Sequence, residues 1–284
     1  MDIKTIAVVG AGVMGTDVAI DLASYSYPVI LKDLSEDVLL KARDKIESSM
    51  RLLAMMQERF RSISSEDILS NITFTKEYDQ FDQVDFVIEN IIEDFDYKKN
   101  VYKELNEICK ENVIIGVNTS CISITKIAAL MCKPERVIGT HFMNPVPLNE
   151  MVEMIRGYHT SEATEDRIIN FLKTMNKHPV VVNDMPGFVA NRLSHLFMNE
   201  AAFLVQDQIA DPAEIDMIFQ KGYGHKMGPL HTADLIGIDT VVSSLKVLYD
   251  HYEDPKFRCC PLLKKMVHAG LLGKKVGKGF FDYN

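Results

Sequence analysis

The stretch TIAVVGAGVMG, Thr5 to Gly15, decides how this chain folds. Its apolar first half ends in glycine, and Val18, Ala19, Leu22 and Ala23 then recur at helical spacing, so the segment reads as strand, turn and helix. Gly10, Gly12 and Gly15 form a G-x-G-x-x-G across that turn. The first glycine permits the tight turn, the second lets a pyrophosphate approach the backbone, and the third brings helix against strand. Taken alone, the string is a weak signal, because a glycine-rich turn also occurs without a ligand. Asp33 tips the reading, because it closes a second apolar run, Pro28 to Leu31, 18 residues beyond Gly15. A carboxylate there accepts hydrogen bonds from both ribose hydroxyls and repels a 2′-phosphate. With Val13 and Met14 at the helix start, these residues predict NAD rather than NADP; Lys32, beside Asp33, pulls the other way.

Outward from this unit, Ser35 precedes an amphipathic stretch from Glu36 to Arg61 with Val38, Leu39, Ala42, Ile46 and Leu53 at helical intervals. It predicts a helical arm over about 36–61, one long helix or a broken pair. Further apolar runs, Phe86 to Ile88, Val113 to Val117, Val137 to Gly139 and Val180 to Val182, alternate with helical patterns. Such alternation predicts an α/β, Rossmann-type doubly wound, mostly parallel sheet. After Val182 helical periodicity prevails, and only the final segment is strand-like. The expected organisation is a dinucleotide-binding domain over 1–183 and an all-α C-terminal domain over 184–284.

Composition narrows the function. A formal charge of −9 disfavours broad binding to nucleic acid or anionic membranes, so phosphate groups on a ligand must be held by local features. The five cysteines, Cys109, Cys121, Cys132, Cys259 and Cys260, form no C-x-x-C, and no histidine cluster has metal spacing. Neither disulfides nor a metal is expected, and a reducing cytoplasm fits. MDIKTIAVVG runs directly into the first strand without the pattern of a secretory leader, and no apolar run nears the ~18 residues of a membrane span.

Four polar positions follow the later apolar runs: Asn118-Thr119-Ser120, His141, Glu153 and Asn191. The first group falls on the carboxyl edge of the expected sheet, where ligands of open α/β folds bind. Oxidation of an alcohol needs a base within reach of the hydroxyl, a group to stabilise the resulting imidazolium, and donors that fix the oxygen. His141, Glu153, Ser120 and Asn191 supply these types, and the alternation of Glu150 to Ile155 can turn Glu153 back toward the imidazole. Singly, each also has a plain reading, as a structural histidine, a solvated carboxylate, a turn serine and a helix cap.

The strings GAGVMG, NTSCISIT, GTHFMNPVPLNEMVE, PGFVANRL, GPLHTADLIGIDT and LLGKKVGKGFFDY, in this order, resemble the 3-hydroxyacyl-CoA dehydrogenase family, in particular its short bacterial 3-hydroxybutyryl-CoA type. The resemblance runs nearly end to end. It implies that His141 and Glu153 are the catalytic dyad, that Ser120 and Asn191 contact the substrate, and that Glu93, Lys98 and Asn118 lie near the cofactor. It implies NAD-dependent oxidation of a 3-hydroxyacyl thioester, hydride leaving C3 as His141 takes the hydroxyl proton, and a homodimer built through the C-terminal domain.

One region departs from that pattern. The family's helical arm carries a serine and following lysines that meet the nucleotide end of coenzyme A; here Ser49 matches, but Met50-Arg51-Leu52-Leu53-Ala54-Met55-Met56 follows. Either Arg51, Arg59 or Arg61 replaces the lysines, or the acyl group arrives on an acyl carrier protein, as in a polyketide-pathway branch of the family that oxidises a glyceryl group for hydroxymalonyl extender units. Leu and Met flanked by Arg43, Lys45, Arg51, Arg59 and Arg61 would receive an acidic carrier, unless those apolar residues are helix core. His231 stands where an apolar residue is common, and reads as a contact for a more polar acyl group or as a cap. A non-catalytic NAD-binding protein, as among the family's lens crystallin relatives, is opposed by the joint presence of His141, Glu153, Ser120 and Asn191.

Overall fold

The computed structural model describes residues 3–283, which divide between Met185 and Pro186 into two compact units. The first unit is built on one eight-stranded sheet in the order β3-β2-β1-β4-β5-β6-β7-β8. The strands are β1 (Ile6–Val9), β2 (Val29–Lys32), β3 (Ile72–Thr75), β4 (Phe86–Glu89), β5 (Ile114–Val117), β6 (Val137–Phe142), β7 (Met151–Arg156) and β8 (His178–Asn183). β1 to β6 are mutually parallel; β7 pairs antiparallel with β6, and β8 parallel with β7. Every residue of β1, β4 and β5 is buried, which the apolar runs IAVV, FVIE and IIGV require in a sheet covered on both faces. Strand order reverses between β1 and β4, and ligands of such sheets bind at the carboxyl ends beside that reversal.

The helices of this unit are α1 (Val13–Ser24), α2 (Glu36–Met56), α3 (Ser65–Ser70), α4 (Phe95–Ile108), α5 (Ile124–Ala128) and α6 (Glu162–Thr174). Ser35 caps α2 by accepting from the Val38 amide, and Glu36 and Asp37 in its first turn complement the helix dipole. Its buried stripe is Leu39, Ala42, Ile46, Met50 and Leu53. The arm is a broken pair: α2 stops at Gln57, which is extended, and a 3-10 turn spans Glu58–Ser62. No proline or glycine signals the break. It turns the chain so that Phe60 enters the core and Arg59 points at the buried Asp21. β3 went unread in the sequence because it is short and only Ile72 of ITFT is buried.

The second unit holds α7 (Ala190–Gln206), α8 (Pro212–Met217), α9 (Pro229–Ile236), α10 (Ile238–Tyr252) and α11 (Pro261–His268) around Met198, Ala202, Ala233, Val241, Leu245 and Leu263. Its final segment is a loop with isolated bridges rather than a strand, since the buried Asp234 carboxylate accepts from the Phe280 and Phe281 amides, each at 3.0 Å, and curls it back onto α9. His231 Nδ1 donates to Asp216 at 2.7 Å, and its ring stacks on Phe281 at 3.6 Å. None of the helices, among the described residues, is long and apolar enough to cross a membrane.

His195 on α7 is buried; its Nδ1–H donates to the Asn191 carbonyl at 2.8 Å, and Nε2 makes no hydrogen bond among the described residues. Burial holds this imidazole below its ordinary value, so the unfolded chain binds the proton more readily than the folded one. Stability contributed here is complete above the ordinary imidazole value of about 6.5 and falls as pH drops below it. His195→Leu is expected to flatten that acid limb, measured as urea midpoints between neutral and mildly acidic pH; an unchanged slope would remove His195 as its source.

Candidate active site

The β1–α1 turn is shaped by what its glycines leave out. Gly10 has φ +99°, and a β-carbon there would lie 2.7 Å from the Asn90 carbonyl oxygen; one at Gly15 would overlap the Gly10 carbonyl itself. Around Gly12, by contrast, nothing lies within 4 Å. α1 therefore starts hard against the sheet with open space over its first turn, where no acidic side chain opposes an anion. Val13 is exposed at that start, and Met14 packs partly into the core.

Asp33 ends β2 with its carboxylate already oriented: Oδ2 accepts from the Ala11 amide at 2.8 Å and Oδ1 from the Ser35 amide at 3.1 Å. It lines a cavity of about 620 Å³ together with Gly12, Leu34, Tyr78, Asn90 and Tyr97. Lys32 is buried, with its ammonium 4.2 Å from the centroid of the Tyr78 ring, and burial lowers its pKa. Lys32 also lines this cavity, with its ammonium over the Tyr78 ring, whereas the Asp33 carboxylate is held by two backbone amides. An adenosine ribose with free 2′- and 3′-hydroxyls fits this arrangement, and a pyrophosphate fits the glycine turn.

The carboxyl ends of β4, β5 and β6 are laced together. Asn118 donates from Nδ2 to Asn90 Oδ1 at 2.6 Å, and its Oδ1 accepts from the Phe142 amide at 3.2 Å. Glu93 Oε1 accepts from Thr119 Oγ1, the Ser120 amide and the Cys121 amide at 2.5, 2.9 and 3.0 Å, so it shapes the Ser120 turn. Lys98 is fully buried, 2.7 Å from Glu89 and 3.9 Å from Glu93. Glu89 also accepts from Tyr102 Oη at 3.0 Å; burial pushes its carboxyl up, against the opposing pull of Lys98. Glu89 and Asn90 escaped the sequence reading, although an acid closing the apolar run VDFVIEN was a visible anomaly.

His141 and Glu153 face each other across the antiparallel β6–β7 pair, in direct register. Both are buried, and His141 Nδ1 lies 3.0 Å from Glu153 Oε2. Because a carboxylate only accepts, Nδ1 carries the proton and Nε2 is the basic nitrogen of the neutral ring. Asn191 is the second residue of α7 in the other unit. Ser49 and Arg51 both lie on α2, but two positions apart, about 200° around the axis, so they do not share a face. Arg51 instead lines an open cleft with Glu47 and Arg61.

The chain matches the family model for the 3-hydroxyacyl-CoA dehydrogenase NAD-binding domain over residues 5–185 and that for the 3-hydroxyacyl-CoA dehydrogenase C-terminal domain over residues 187–283. It is 40% identical to a 3-hydroxybutyryl-CoA dehydrogenase of Clostridioides difficile, covering 98% of this chain and 99% of that protein. It is 41% identical to a probable 3-hydroxybutyryl-CoA dehydrogenase of Bacillus subtilis, over 100% and 98%. The crystal structure of an (S)-3-hydroxybutyryl-CoA dehydrogenase from Ralstonia eutropha superposes with a TM-score of 0.92 at 38% identity, covering both chains fully.

Proposed function

Because the chain belongs to the 3-hydroxyacyl-CoA dehydrogenase family, and is thereby an NAD-dependent oxidoreductase, we propose that it interconverts (S)-3-hydroxybutyryl-CoA and acetoacetyl-CoA with His141 and Glu153 as the acid–base dyad. The observation that carries this reading is the buried His141–Glu153 hydrogen bond of 3.0 Å between directly opposed residues. In oxidation, Nε2 of neutral His141 takes the proton of the 3-hydroxyl, and Glu153 steadies the imidazolium that results. In reduction, the imidazolium returns that proton to the ketone oxygen. NAD, when bound, would supply the nicotinamide that accepts hydride from substrate C3, and NADH would return it in reduction. Ser120, in a turn held by Glu93, and Asn191 contact the substrate oxygens; Asn118, Glu93 and Lys98 support the cofactor end, and Ser49 serves the carrier end, without Arg51, which lies on the far side of α2.

A second reading, an acyl group delivered on a carrier protein, is favoured by one feature: Leu52, Met55 and Met56 at the end of α2 are 59%, 80% and 59% exposed. Its basic rim is thinner than the sequence suggests. Lys45 is bound to Asp17, Arg59 to Asp21, and Arg43 lies over the Phe74 ring, which leaves Arg51 and Arg61. NADH oxidation with acetoacetyl-CoA, beside the matched acyl carrier protein thioester, separates the two. Turnover of the CoA ester at micromolar concentration supports the first reading; turnover confined to the carrier-bound ester replaces it with the second.

Homodimerisation through the second unit is also proposed, supported by the exposure of Leu193, Met217, Ile218 and Leu235. Light scattering that returns the monomer mass at all concentrations would overturn it.

A further inference from the structure

The turn that joins the two dyad strands is held from beneath by two cations sharing one carboxylate. Lys177, buried immediately before β8, places its ammonium 2.7 Å from the carbonyl oxygens of both Val146 and Asn149 and 2.8 Å from Asp21 Oδ2. The two carbonyls accept hydrogen bonds from the ammonium, and the Asp21 contact is an ion pair without hydrogen-bond geometry at Oδ2. Arg59 donates from Nη2 to Asp21 Oδ1 at 2.5 Å and to the Pro147 carbonyl at 2.8 Å, while its other nitrogens reach Ser24 Oγ and Gln57 Oε1. Asp21 is fully buried on α1. Three carbonyls of the 146–149 turn are therefore tied, through one carboxylate, to the helix whose first turn forms the glycine cradle.

We infer that Asp21, Arg59 and Lys177 are positioning residues for the reaction, fixing the β6–β7 turn on α1 and with it the His141–Glu153 geometry relative to the cofactor turn. The inference rests on the dyad reading above. Its physical motive is the cost of the arrangement. Two cations and a carboxylate taken from water are generally no better for stability than apolar side chains of the same volume. What apolar side chains cannot do is hold inward-facing carbonyls in one place. Asp21 lies nine residues beyond Gly12, so about 13 Å of α1 separates the cradle from the grip. Along that length the helix is a rigid spacer between cofactor and dyad.

The test uses the full chain with Asp21→Asn, Lys177→Met and Arg59→Gln, the last at a partly exposed side chain that folding tolerates best. Two readouts are combined: kcat and KM with NADH and acetoacetyl-CoA, and the NMR signal of the His141 Nδ1 proton, assigned by its loss in His141→Gln. A positioning role lowers kcat about tenfold or more, leaves KM for NADH within about twofold, and moves or broadens the Nδ1 signal. Folded variants with an unchanged signal and unchanged kcat, differing only in melting temperature, would reduce the cluster to a structural one and overturn the inference. The proton signal needs no substrate. Failure of the wild-type chain to turn over acetoacetyl-CoA therefore strikes the substrate reading, while the signal in the variants still decides this one.

Discussion

His141→Ala is expected to lower kcat by about 10²- to 10⁴-fold while leaving NAD affinity within about twofold. The imidazole sits across β6 and β7 from Glu153, whereas the glycine turn and Asp33 belong to β1 and β2, so its loss leaves the dinucleotide contacts in place. Glu153→Gln should cost less than His141→Ala. Its amide oxygen can still accept from Nδ1 at the same 3.0 Å, but it lacks the charge that stabilises the imidazolium. The measurement is steady-state kinetics in both directions beside NADH titration by fluorescence. Near-normal turnover in both variants would remove the acid–base assignment.

The second large effect is expected at Gly15. A methyl group there would overlap the Gly10 carbonyl oxygen, a backbone atom that can move only by shifting the start of α1 away from β1. Overpacking of this kind costs about 1–3 kcal/mol, and the shift falls on the amides that receive the pyrophosphate. Gly15→Ala should thus weaken NAD binding roughly 10- to 100-fold, at about 1.4 kcal/mol per tenfold, and lower stability as well. Gly12→Ala makes the informative contrast, since no protein atom lies within 4 Å of its added carbon: stability should hold while NAD binding falls. Equal stability losses in the two variants would contradict the packing argument.

What was legible in the sequence follows from how local each signal is. The β1 run, the glycine turn and Asp33 are read within 33 residues because one strand–turn–helix unit determines them. The helical character of the second unit is equally local. The break at Gln57 was only half visible: periodicity carries on to Arg61, and the chain turns because a buried Asp21, distant in sequence, draws Arg59 inward. β3 lacks the buried run that marks its neighbours, since only Ile72 is enclosed. Lys98 could be placed near the cofactor by resemblance, but its partner Glu89 could not, because that pairing exists only once α4 lies beside β4. The pairing of His141 with Glu153 was carried by motif and resemblance; the alternation of Glu150 to Ile155 let Glu153 face back, but its direct cross-strand register needed the antiparallel pairing of β7 with β6.

That register bears on how the protein fails. Reactive groups are often carried on loops that open long before a domain unfolds, so activity drains away through local fluctuations. Here both members of the proposed dyad are rungs of a buried backbone ladder, and the β6–β7 seam has β5 on one side and β8 on the other. Opening it means stripping β7, buried along all but its end residues, together with the edge strand β8 from the sheet, a larger event than the opening of a surface loop. Amide hydrogens along this seam should exchange more slowly than those of the connecting loops, and catalytic competence should vanish with this flank of the sheet rather than ahead of it. A cell that inherits a destabilised variant would therefore hold fewer competent molecules, each working at full rate, rather than a full complement of impaired ones.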